Sequence, residues 1–418
     1  EISTVNDIKK DDKSLIGEMF IIAKKVAKTL NIDEKGYRLV INCNEDAGQT
    51  VFHLHMHLLA GRKLSLPGFV VTLVATWYGG ILEIGRFSYS NGISTWLVFG
   101  LFYYIAALIY ARYIVDRISV SNNESIPSQF YSHYGKSSAI LAIILVFLLA
   151  SPAPYLKMFA SILSYIWGMD LTTALIIGVF FSTIYTLKGG FSSIIKTDRI
   201  QFIFMFSGFI ILSYFLFFSD RYGIDLLYNL FKRDTNLFKI PGNVEWSYVM
   251  MFAFLSLLTF LDPSFHQRTF SGRNLKTVQK SILISVLCWF IFDFLTISSA
   301  LFYFEIALRN DLDPFNTSSP YIELAKIVFN DYPFLMGIFF LSILSVVMST
   351  IDSYTFLSAM TLKYDLNTIL GKKTNIQSIR HTTIFILIIS FILSNFFDRA
   401  LDYWYYFGTY VIVSTLFP

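Results

Sequence analysis

Ten long apolar stretches, separated by short polar segments, constrain the fold of this 418-residue chain more than any other feature. A helix needs about 20 consecutive apolar residues to cross a bilayer. In lipid every backbone polar group must be bonded within the protein, so such stretches adopt helices. The predicted spanning helices lie at about 67–88, 92–115, 137–167, 171–188, 200–219, 245–262, 281–306, 333–362, 380–397 and 401–418.

The composition also indicates a membrane protein. Hydrophobic residues make up 55% of the chain, Phe occurs 43 times and the mean hydropathy is +0.56. A soluble domain could not keep so much apolar side chain away from water. The sequence therefore predicts a mainly α-helical polytopic membrane protein with a ten-helix core. We expect its apolar surface to contact the lipid bilayer. Because the last apolar stretch runs to Pro418 and the chain does not begin with Met, we expect a chain that is fragmentary at both ends.

Residues 1–66 differ from the rest, because they hold 19 Lys, Arg, Asp and Glu residues and three of the six histidines. Residues 11–30 place apolar side chains at helical spacing with lysines opposite. Residues 37–42 and 51–60 alternate as strands do, and an Asn/Asp/Gly loop joins them. The sequence predicts a small soluble α+β segment over 1–66 and a transmembrane domain over 67–418.

A run of alternating histidines, His53, His55 and His57, lies in the second predicted strand. Side chains two residues apart in a strand share one face, so the three imidazoles converge. One interpretation is a chance cluster or an adventitious zinc site. The other is a phosphoryl-transfer site, in which one neutral imidazole attacks phosphorus and its neighbours support it.

The segment resembles the C-terminal half of a histidine-triad (HIT) nucleotide-binding protein. The resemblance covers residues 11–66 and rests on Gly36-Tyr37-Arg38, Asn42, Gly48-Gln49-Thr50, the histidine run and Ala60-Gly61-Arg62-Lys63. It implies that His55 is the nucleophile that forms a nucleotidyl-histidine, that His53 and His57 support it, and that a nucleotide binds. Three residues would lie near the phosphate: Asn42, Gln49 and Thr50. The strands and helix that precede this half in the family would lie before Glu1.

Two features of the apolar region point to polar sites within it. A serine stripe of Ser342, Ser345, Ser349 and Ser353 recurs at three- or four-residue steps in the eighth stretch, which indicates either close helix packing or the lining of an ion path. Paired glycines, Gly79 and Gly80, end the Thr72–Gly80 part of the first stretch. They favour either a broken helix whose carbonyls can hold a cation, or a plain close helix contact.

Positive charges orient the chain, because Lys and Arg concentrate in cytoplasmic loops. The loops after the fourth, sixth and eighth helices are rich in Lys and Arg, and the loop after the sixth holds Arg268, Arg273, Lys276 and Lys280. The segment between the fifth and sixth helices is an exception, since it holds Arg221, Lys232, Arg233 and Lys239. We expect residues 1–66 to be cytoplasmic and the protein to lie in the bacterial inner (plasma) membrane.

The transmembrane region resembles the sodium/solute symporter family. The resemblance rests, in order, on Ala75–Gly80 with Gly85-Arg86-Phe87, Ser125-Ile126-Pro127, Gly189-Gly190 with Lys196-Thr197-Asp198, Asp262-Pro263 with Gln267-Arg268, and Val347–Thr350. It covers about five-sixths of the chain. It implies two inverted five-helix repeats, with a tenth helix cut off at its end, and sodium-driven symport of a small organic solute by alternating access.

The same resemblance implies a sodium site between the first and eighth helices. Its ligands would be the carbonyls of Ala75, Tyr78 and Val346 and the hydroxyls of Ser349 and Thr350. Asp198 would lie on the sodium path, unless it is merely solvated at the membrane interface. Trp77 and Glu83 are the candidate substrate residues. We expect sodium as the only cofactor, with no organic cofactor and no nucleic-acid partner.

Two alternatives concern the chain as a whole. In the first, the protein is a HIT-type nucleotide phosphoramidase or hydrolase, or a sensor, anchored by a transporter-like membrane domain. Residual nucleotidyl hydrolase or transferase activity in the HIT segment belongs to this alternative. In the second, the two parts are joined only by a gene fusion or an assembly error, since no polar linker separates them.

Overall fold

The computed structural model describes residues 2–29, 32–34, 36–44, 47, 49, 51–59, 64–120, 125–315, 317, 319–372, 374–397 and 399–408. Within these residues the chain is helical apart from one small sheet near its N-terminus.

The N-terminal segment has one helix and two short strands. Helix α1 spans Lys13–Thr29, and strands β1 (Arg38–Val40) and β2 (His57–Leu59) pair antiparallel. In this register Val40 lies opposite His57. Both strands are shorter than the predicted 37–42 and 51–60. His53 and His55 lie in irregular chain before β2, so the expected ten-residue strand is wrong.

Helix α1 is amphipathic as predicted, but most of its apolar face is exposed. Ala23 and Ala27 are buried, whereas Leu15, Ile22 and Val26 are exposed. An apolar helix face must pack on a second layer to be covered. The two three-residue strands are too small to provide that layer within the described residues.

The remaining helices form the membrane domain. They are α2 (Leu66–Trp77), α3 (Ile81–Asn91), α4 (Phe102–Ile109), α5 (Val115–Val120), α6 (Ile126–Leu149), α7 (Ala153–Trp167), α8 (Leu171–Phe218), α9 (Ile224–Arg233), α10 (Trp246–Leu255), α11 (Pro263–Ser271), α12 (Leu275–Arg309), α13 (Pro320–Val328), α14 (Pro333–Ala359), α15 (Leu366–Ile369), α16 (Ile376–Leu393) and α17 (Ala400–Tyr403). Several of them continue through single turns of 3-10 or π-helix.

Eight of these helical units, within the described residues, are long and apolar enough to cross a bilayer. They coincide with eight of the ten predicted stretches. The fourth stretch corresponds to the shorter apolar Leu171–Ile184, and the tenth begins at α17 and then leaves the described residues. Large apolar side chains such as Ile203, Phe334 and Phe385 are exposed, as they would be against lipid. The protein is an integral membrane protein, and the predicted fold class is confirmed.

Within the described residues, two of the spanning helices pass through a 3-10 segment near their middle. Between α2 and α3 the chain turns through a 3-10 segment at Tyr78–Gly80, which is the interruption that the paired glycines predict. Between α10 and α11 a 3-10 segment, Ser256–Phe260, leads to Asp262, which caps α11. This second break was not predicted from the sequence, although the Pro at position 263 fits the first turn of a helix.

The centre of the core is the contact between α8 and α14. A Cβ atom added to Gly208 on α8 would lie 2.3 Å from the Ser342 Cβ, so the two helices touch at a glycine. Ser342 Oγ also donates to the Met205 carbonyl at 3.1 Å. At Ser342, the first residue of the serine stripe, the packing interpretation is therefore correct.

The soluble segment meets the membrane domain at Leu64. The Leu64 amide donates to the Ser271 carbonyl at 3.1 Å, and the Arg273 amide donates to the Leu64 carbonyl at 3.1 Å. Leu64 is buried. The chain just before α2 is thus fixed to the turn between α11 and α12. Helix α2 begins two residues later, and the domain boundary at 66–67 stays a prediction.

Candidate functional site

The broken helix α2–α3 makes its closest approach to α14 at Gly79. A Cβ atom added there would lie 2.5 Å from Thr350 Oγ1 and 2.6 Å from the Tyr155 ring. At Gly80 it would lie 2.4 Å from the Trp404 ring. Both glycines therefore allow contacts that any side chain would block.

The predicted sodium ligands lie together where the break faces α14. Ala75, Tyr78, Val346, Ser349 and Thr350 are all buried there. Thr350 Oγ1 donates to the Thr76 carbonyl at 2.8 Å and lies 3.5 Å from the Val346 carbonyl oxygen. The Tyr78 hydroxyl points elsewhere, to the Asp293 carboxylate at 2.8 Å. The predicted residues thus lie on elements that contact one another through Thr350 and Thr76, and their assignment as a sodium site stays a prediction.

Asp198 is buried in this region rather than solvated at the interface. It is 0% exposed. Ser349 Oγ donates to its Oδ1 at 2.7 Å, and Thr72 Oγ1 donates to its Oδ2. The carboxylate therefore links α2, α8 and α14. The alternative of a merely solvated Asp198 is wrong.

Arg268 was expected in a cytoplasmic loop, and the structure instead buries it completely on α11. One of its terminal nitrogens, Nη2, lies 2.7 Å from Thr76 Oγ1, 3.0 Å from Thr72 Oγ1 and 3.2 Å from Ser353 Oγ. Nη1 donates to the Ser264 carbonyl at 3.2 Å. The predicted loop position of Arg268 is wrong. Positive charge in a short segment between apolar stretches is typical of a loop, but α11 continues the broken helix into the core.

These residues form one hydrogen-bonded unit, which we call the Asp198–Arg268 cluster: Thr72, Thr76, Asp198, Arg268, Ser349 and Ser353. Thr72, Thr76 and Arg268 were not among the predicted site residues. The spacing of Thr72 and Thr76, one helical turn apart just before the glycine pair, could have revealed the two threonines.

A second buried carboxylate lies close to this cluster on α14. Asp352 is 1% exposed, and its Oδ1 accepts weakly from Ser182 Oγ at 3.4 Å. Its Oδ2 has no hydrogen-bond partner within the described part of the chain. The region thus holds two buried carboxylates, Asp198 and Asp352, while Arg268 is the one cation in the cluster as described, so it carries more acid than base. A bound cation would offset that excess.

A cavity of about 190 Å³ lies beside the cluster, and ten of its lining side chains are aromatic. Trp77 and Glu83, the two candidate substrate residues, both line it. Glu83 is paired with Arg86 at 3.0 Å. Thr76 lines the cavity and also belongs to the Asp198–Arg268 cluster, so the cavity and the cluster are adjacent at this residue.

The three histidine rings of the N-terminal segment are neighbours, as predicted. Ring centroids of His53 and His55 are 5.5 Å apart, and those of His55 and His57 are 4.8 Å apart. His55 Nδ1 lies 2.7 Å from the His53 carbonyl oxygen. Because a carbonyl can only accept, Nδ1 carries the proton, and in the neutral ring Nε2 then has a free lone pair. No group of three or more His, Cys, Asp or Glu residues in the described chain is placed to hold a metal ion.

The predicted phosphate residues have mixed positions. Gln49 is buried, and its side chain bonds to backbone: Oε1 accepts from the Asn44 amide at 2.8 Å and Nε2 donates to the Ser3 carbonyl at 2.7 Å. This side chain fixes its loop in the present structure. Asn42 is half-buried next to β1. Thr50 lies outside the described residues, and so do residues 60–63.

Comparison with known sequences assigns the membrane domain. A sequence model of the sodium:solute symporter family matches residues 57–397. The chain belongs to the sodium:solute symporter family. The model of the HIT domain matches residues 1–64, so residues 57–64 are matched by both. Both predicted resemblances are confirmed.

Two solved structures share the fold of this symporter-family chain. A Na⁺-coupled sialic acid symporter, solved substrate-bound and outward-open, superposes with a TM-score of 0.67 at 15% identity, over 84% of this chain and 76% of that one. MhsT in complex with L-phenylalanine gives a TM-score of 0.55 at 12% identity, over 78% of this chain and 79% of that one.

Two curated relatives match the HIT segment of the symporter-family chain. A HIT-like protein of Buchnera aphidicola subsp. Acyrthosiphon pisum (strain APS), itself uncharacterised, is 54% identical over 63 residues, or 15% of this chain and 55% of that protein. The purine nucleoside phosphoramidase of Escherichia coli (strain K12) is 48% identical over 63 residues, or 15% of this chain and 53% of that enzyme. The chain spans about half the length of these relatives.

Proposed function

We propose that the chain couples the entry of sodium to the uptake of a small organic solute by alternating access. The observation that carries the proposal is the position of Thr76. Its carbonyl accepts from Thr350, its hydroxyl lies among Arg268, Ser349 and Ser353, and the residue also lines the cavity. An ion that rearranges these bonds therefore changes the cavity wall directly. Family membership and the shared fold support the same function.

Sodium would bind between the helix break and α14 in this proposal. The carbonyls of Ala75, Tyr78 and Val346 and the hydroxyls of Ser349 and Thr350 would be its ligands. Thr350 and Ser349 at present donate to the Thr76 carbonyl and to Asp198. On sodium binding the two hydroxyls would turn their lone pairs to the ion. Neutral oxygens bind sodium weakly enough for release in each cycle, and Asp198 would receive the ion on its way inward.

Thermal unfolding of the purified chain in sodium against potassium, at equal ionic strength, tests this proposal. A ligand that binds only the folded state stabilises it, by about 2.7 kcal/mol at 100 times its Kd. We expect a sodium-specific rise in melting temperature for the wild type, and none for Ser349→Ala combined with Thr350→Ala. Ser345→Ala, on the same helix but half-buried, is the control and should keep the rise. An unchanged sodium response in the double variant would refute the assigned site.

The orientation of the protein follows from charge. We place residues 1–66 in the cytoplasm of a bacterium and the helices in its inner membrane, because Lys and Arg concentrate in the loops on the same side. Cys43, a half-buried free cysteine of the soluble segment, reports its side. A membrane-impermeant maleimide should label it in inside-out vesicles and leave it unlabelled in intact cells. Labelling in intact cells would reverse the orientation.

A second candidate function belongs to the HIT segment, and the His55 tautomer favours it. We propose that His55 Nε2 attacks the phosphorus of a nucleoside phosphoramidate, which releases the amine, and that water then hydrolyses the nucleotidyl-histidine. His53 and His57 would support the attack. Asn42, Gln49 and Thr50 would contact the phosphate.

The purified chain should release nucleoside monophosphate from such a substrate, and His55→Ala should lose at least 100-fold in rate, because it removes the nucleophile. His381→Ala, which changes an exposed histidine of the membrane domain, is the matched control. Equal rates for His55→Ala and the wild type would assign the segment a structural role.

A further inference from the structure

The charged groups on the wall of the aromatic cavity are acidic. Glu83 and Asp262 line it, and no Lys or Arg of the described residues does. Glu83 is offset by Arg86 at 3.0 Å. Asp262 makes no ion pair within the described part of the chain. Asp262 is therefore a carboxylate at the edge of the cavity without a salt-bridge partner, and the charge of Arg268 on the same helix reaches it only from beyond ion-pair distance.

A hydroxyl close to Asp262 points to a missing ligand. Thr259 lines the same cavity and is 2% exposed, yet its Oγ1 has no hydrogen-bond partner among the described residues. A buried hydroxyl left unbonded costs about 1–3 kcal/mol. Both residues belong to the break between α10 and α11, so they are held on one side of the cavity. A group that can donate to both oxygens would satisfy them together.

The rest of the wall is suited to a ligand that has an apolar body and carries one positive charge. Six of its aromatic side chains are Trp77, Tyr103, Tyr155, Tyr354, Trp404 and Tyr405. Aromatic faces attract cations within about 6 Å, and most strongly where water is excluded. A solute with a carboxylate would meet two acidic side chains here and no Lys or Arg of the described residues, so its hydrogen-bond donors would be neutral groups such as hydroxyls. The cavity therefore favours a cation over an anion.

We propose that the transported solute is a small organic cation with a primary or secondary ammonium group and an apolar body. Its N–H groups donate to Asp262 and to Thr259 Oγ1, and its body packs against the aromatic wall. The inference rests on the proposed symport function and names its solute class. A quaternary ammonium has no N–H to donate, so it binds more weakly than a primary amine of the same size.

Asp262 can act as a helix cap or as a charged ligand-binding group, and one substitution separates these two roles. Its Oδ1 accepts from the Ser264 amide at 2.6 Å, so Asp262 also caps α11. Asn is as good an N-cap as Asp. Asp262→Asn thus keeps the cap and the size of the side chain while it removes the charge. Thr259→Val keeps the shape and removes the hydroxyl.

The test measures melting temperature in sodium while phenethylamine is titrated into the wild type and both variants. Matched probes of similar shape are 2-phenylethanol, which is neutral, 3-phenylpropanoate, which is an anion, and L-phenylalanine, which is a zwitterion. We expect the amine to bind best, Asp262→Asn to weaken it at least tenfold, and Thr259→Val to weaken it several-fold. Tighter binding of the neutral, anionic or zwitterionic probe would overturn the proposal, and so would wild-type amine affinity in Asp262→Asn or no response of the wild type to the amine.

The sodium response without any probe separates this proposal from the one on which it rests. A wild type that is stabilised by sodium but not by phenethylamine has the ion site and a different solute. A wild type that responds to neither lacks the proposed symport function itself. Asp262→Asn should keep the sodium response in full, because Asp262 lies outside the proposed ion ligands.

Discussion

Replacement of Arg268 by Met is expected to cause the largest loss of stability of any single substitution in the Asp198–Arg268 cluster. Arg268 is 0% exposed and donates to Thr72, Thr76, Ser264 and Ser353. Without it, Asp198 loses the nearby positive charge that offsets it in the core. Breaking one side of a buried charge arrangement costs about 3–5 kcal/mol. The melting temperature in detergent, compared with that of the wild type, measures the effect.

Three further variants identify the cause of that loss. Arg273→Met changes an exposed arginine of the following turn and should cost less than about 0.5 kcal/mol. Arg268→Lys keeps the charge without the planar fork of donors, so we expect an intermediate loss. Asp198→Asn combined with Arg268→Met should recover part of the loss, because the unpaired carboxylate is then gone. Additive losses in the double variant would mean that the two charges do not interact.

The fold of the membrane domain was largely predictable, because lipid restricts the chain to helices and the apolar stretches show where they lie. The glycine pair gave the first helix break. The N-terminal strands were less predictable. Alternation over 51–60 suggests a long strand, but the structure pairs only His57–Leu59, where β1 is available as a partner. An alternating pattern shows that a segment can form a strand. The strand forms only where a partner strand supplies the hydrogen bonds between them.

The members of the site were harder to predict than the helices that carry them. Ser349 and Thr350 follow from the family resemblance, whereas Arg268 and Thr72 become visible only when α2, α11 and α14 are packed together. A prediction from charge and hydropathy places each residue by the residues adjacent to it in the sequence. By that measure Arg268 belongs to a basic loop. The break at Asp262 redirects α11 into the core, and this redirection decides the burial of the arginine.

The serines of the stripe have different surroundings, although they lie on one helix. Ser342 packs against Gly208 and bonds to the Met205 carbonyl. Ser349, two turns later, bonds to Asp198. The stripe is continuous on α14, but the surface opposite changes from a close helix contact on α8 to a buried carboxylate on the same helix. The role of each serine is therefore set by α8, which a reading of α14 alone does not include.

Gly79→Ala is expected to abolish the sodium response while the protein remains folded. The added Cβ would lie 2.5 Å from Thr350 Oγ1 and 2.6 Å from the Tyr155 ring, so both side chains must shift. Thr350 would then leave its 2.8 Å contact with the Thr76 carbonyl. Ala also favours regular α-helix over Gly by about 1 kcal/mol, which opposes the 3-10 turn. We expect the affinity for sodium to fall at least tenfold, as measured by the sodium-dependent rise in melting temperature.

Gly337→Ala is the matched control, because it adds the same methyl group to α14 where nothing lies within 4 Å. It should leave the sodium response unchanged and, by helix propensity, should not lower the melting temperature in potassium. If Gly79→Ala kept the wild-type sodium response, the close approach of the break to Thr350 would be ordinary helix packing. If it lost the response but kept its melting temperature in potassium, the glycine would be required for the ion and not for the fold. Only the second result is consistent with a sodium site built on the interrupted helix.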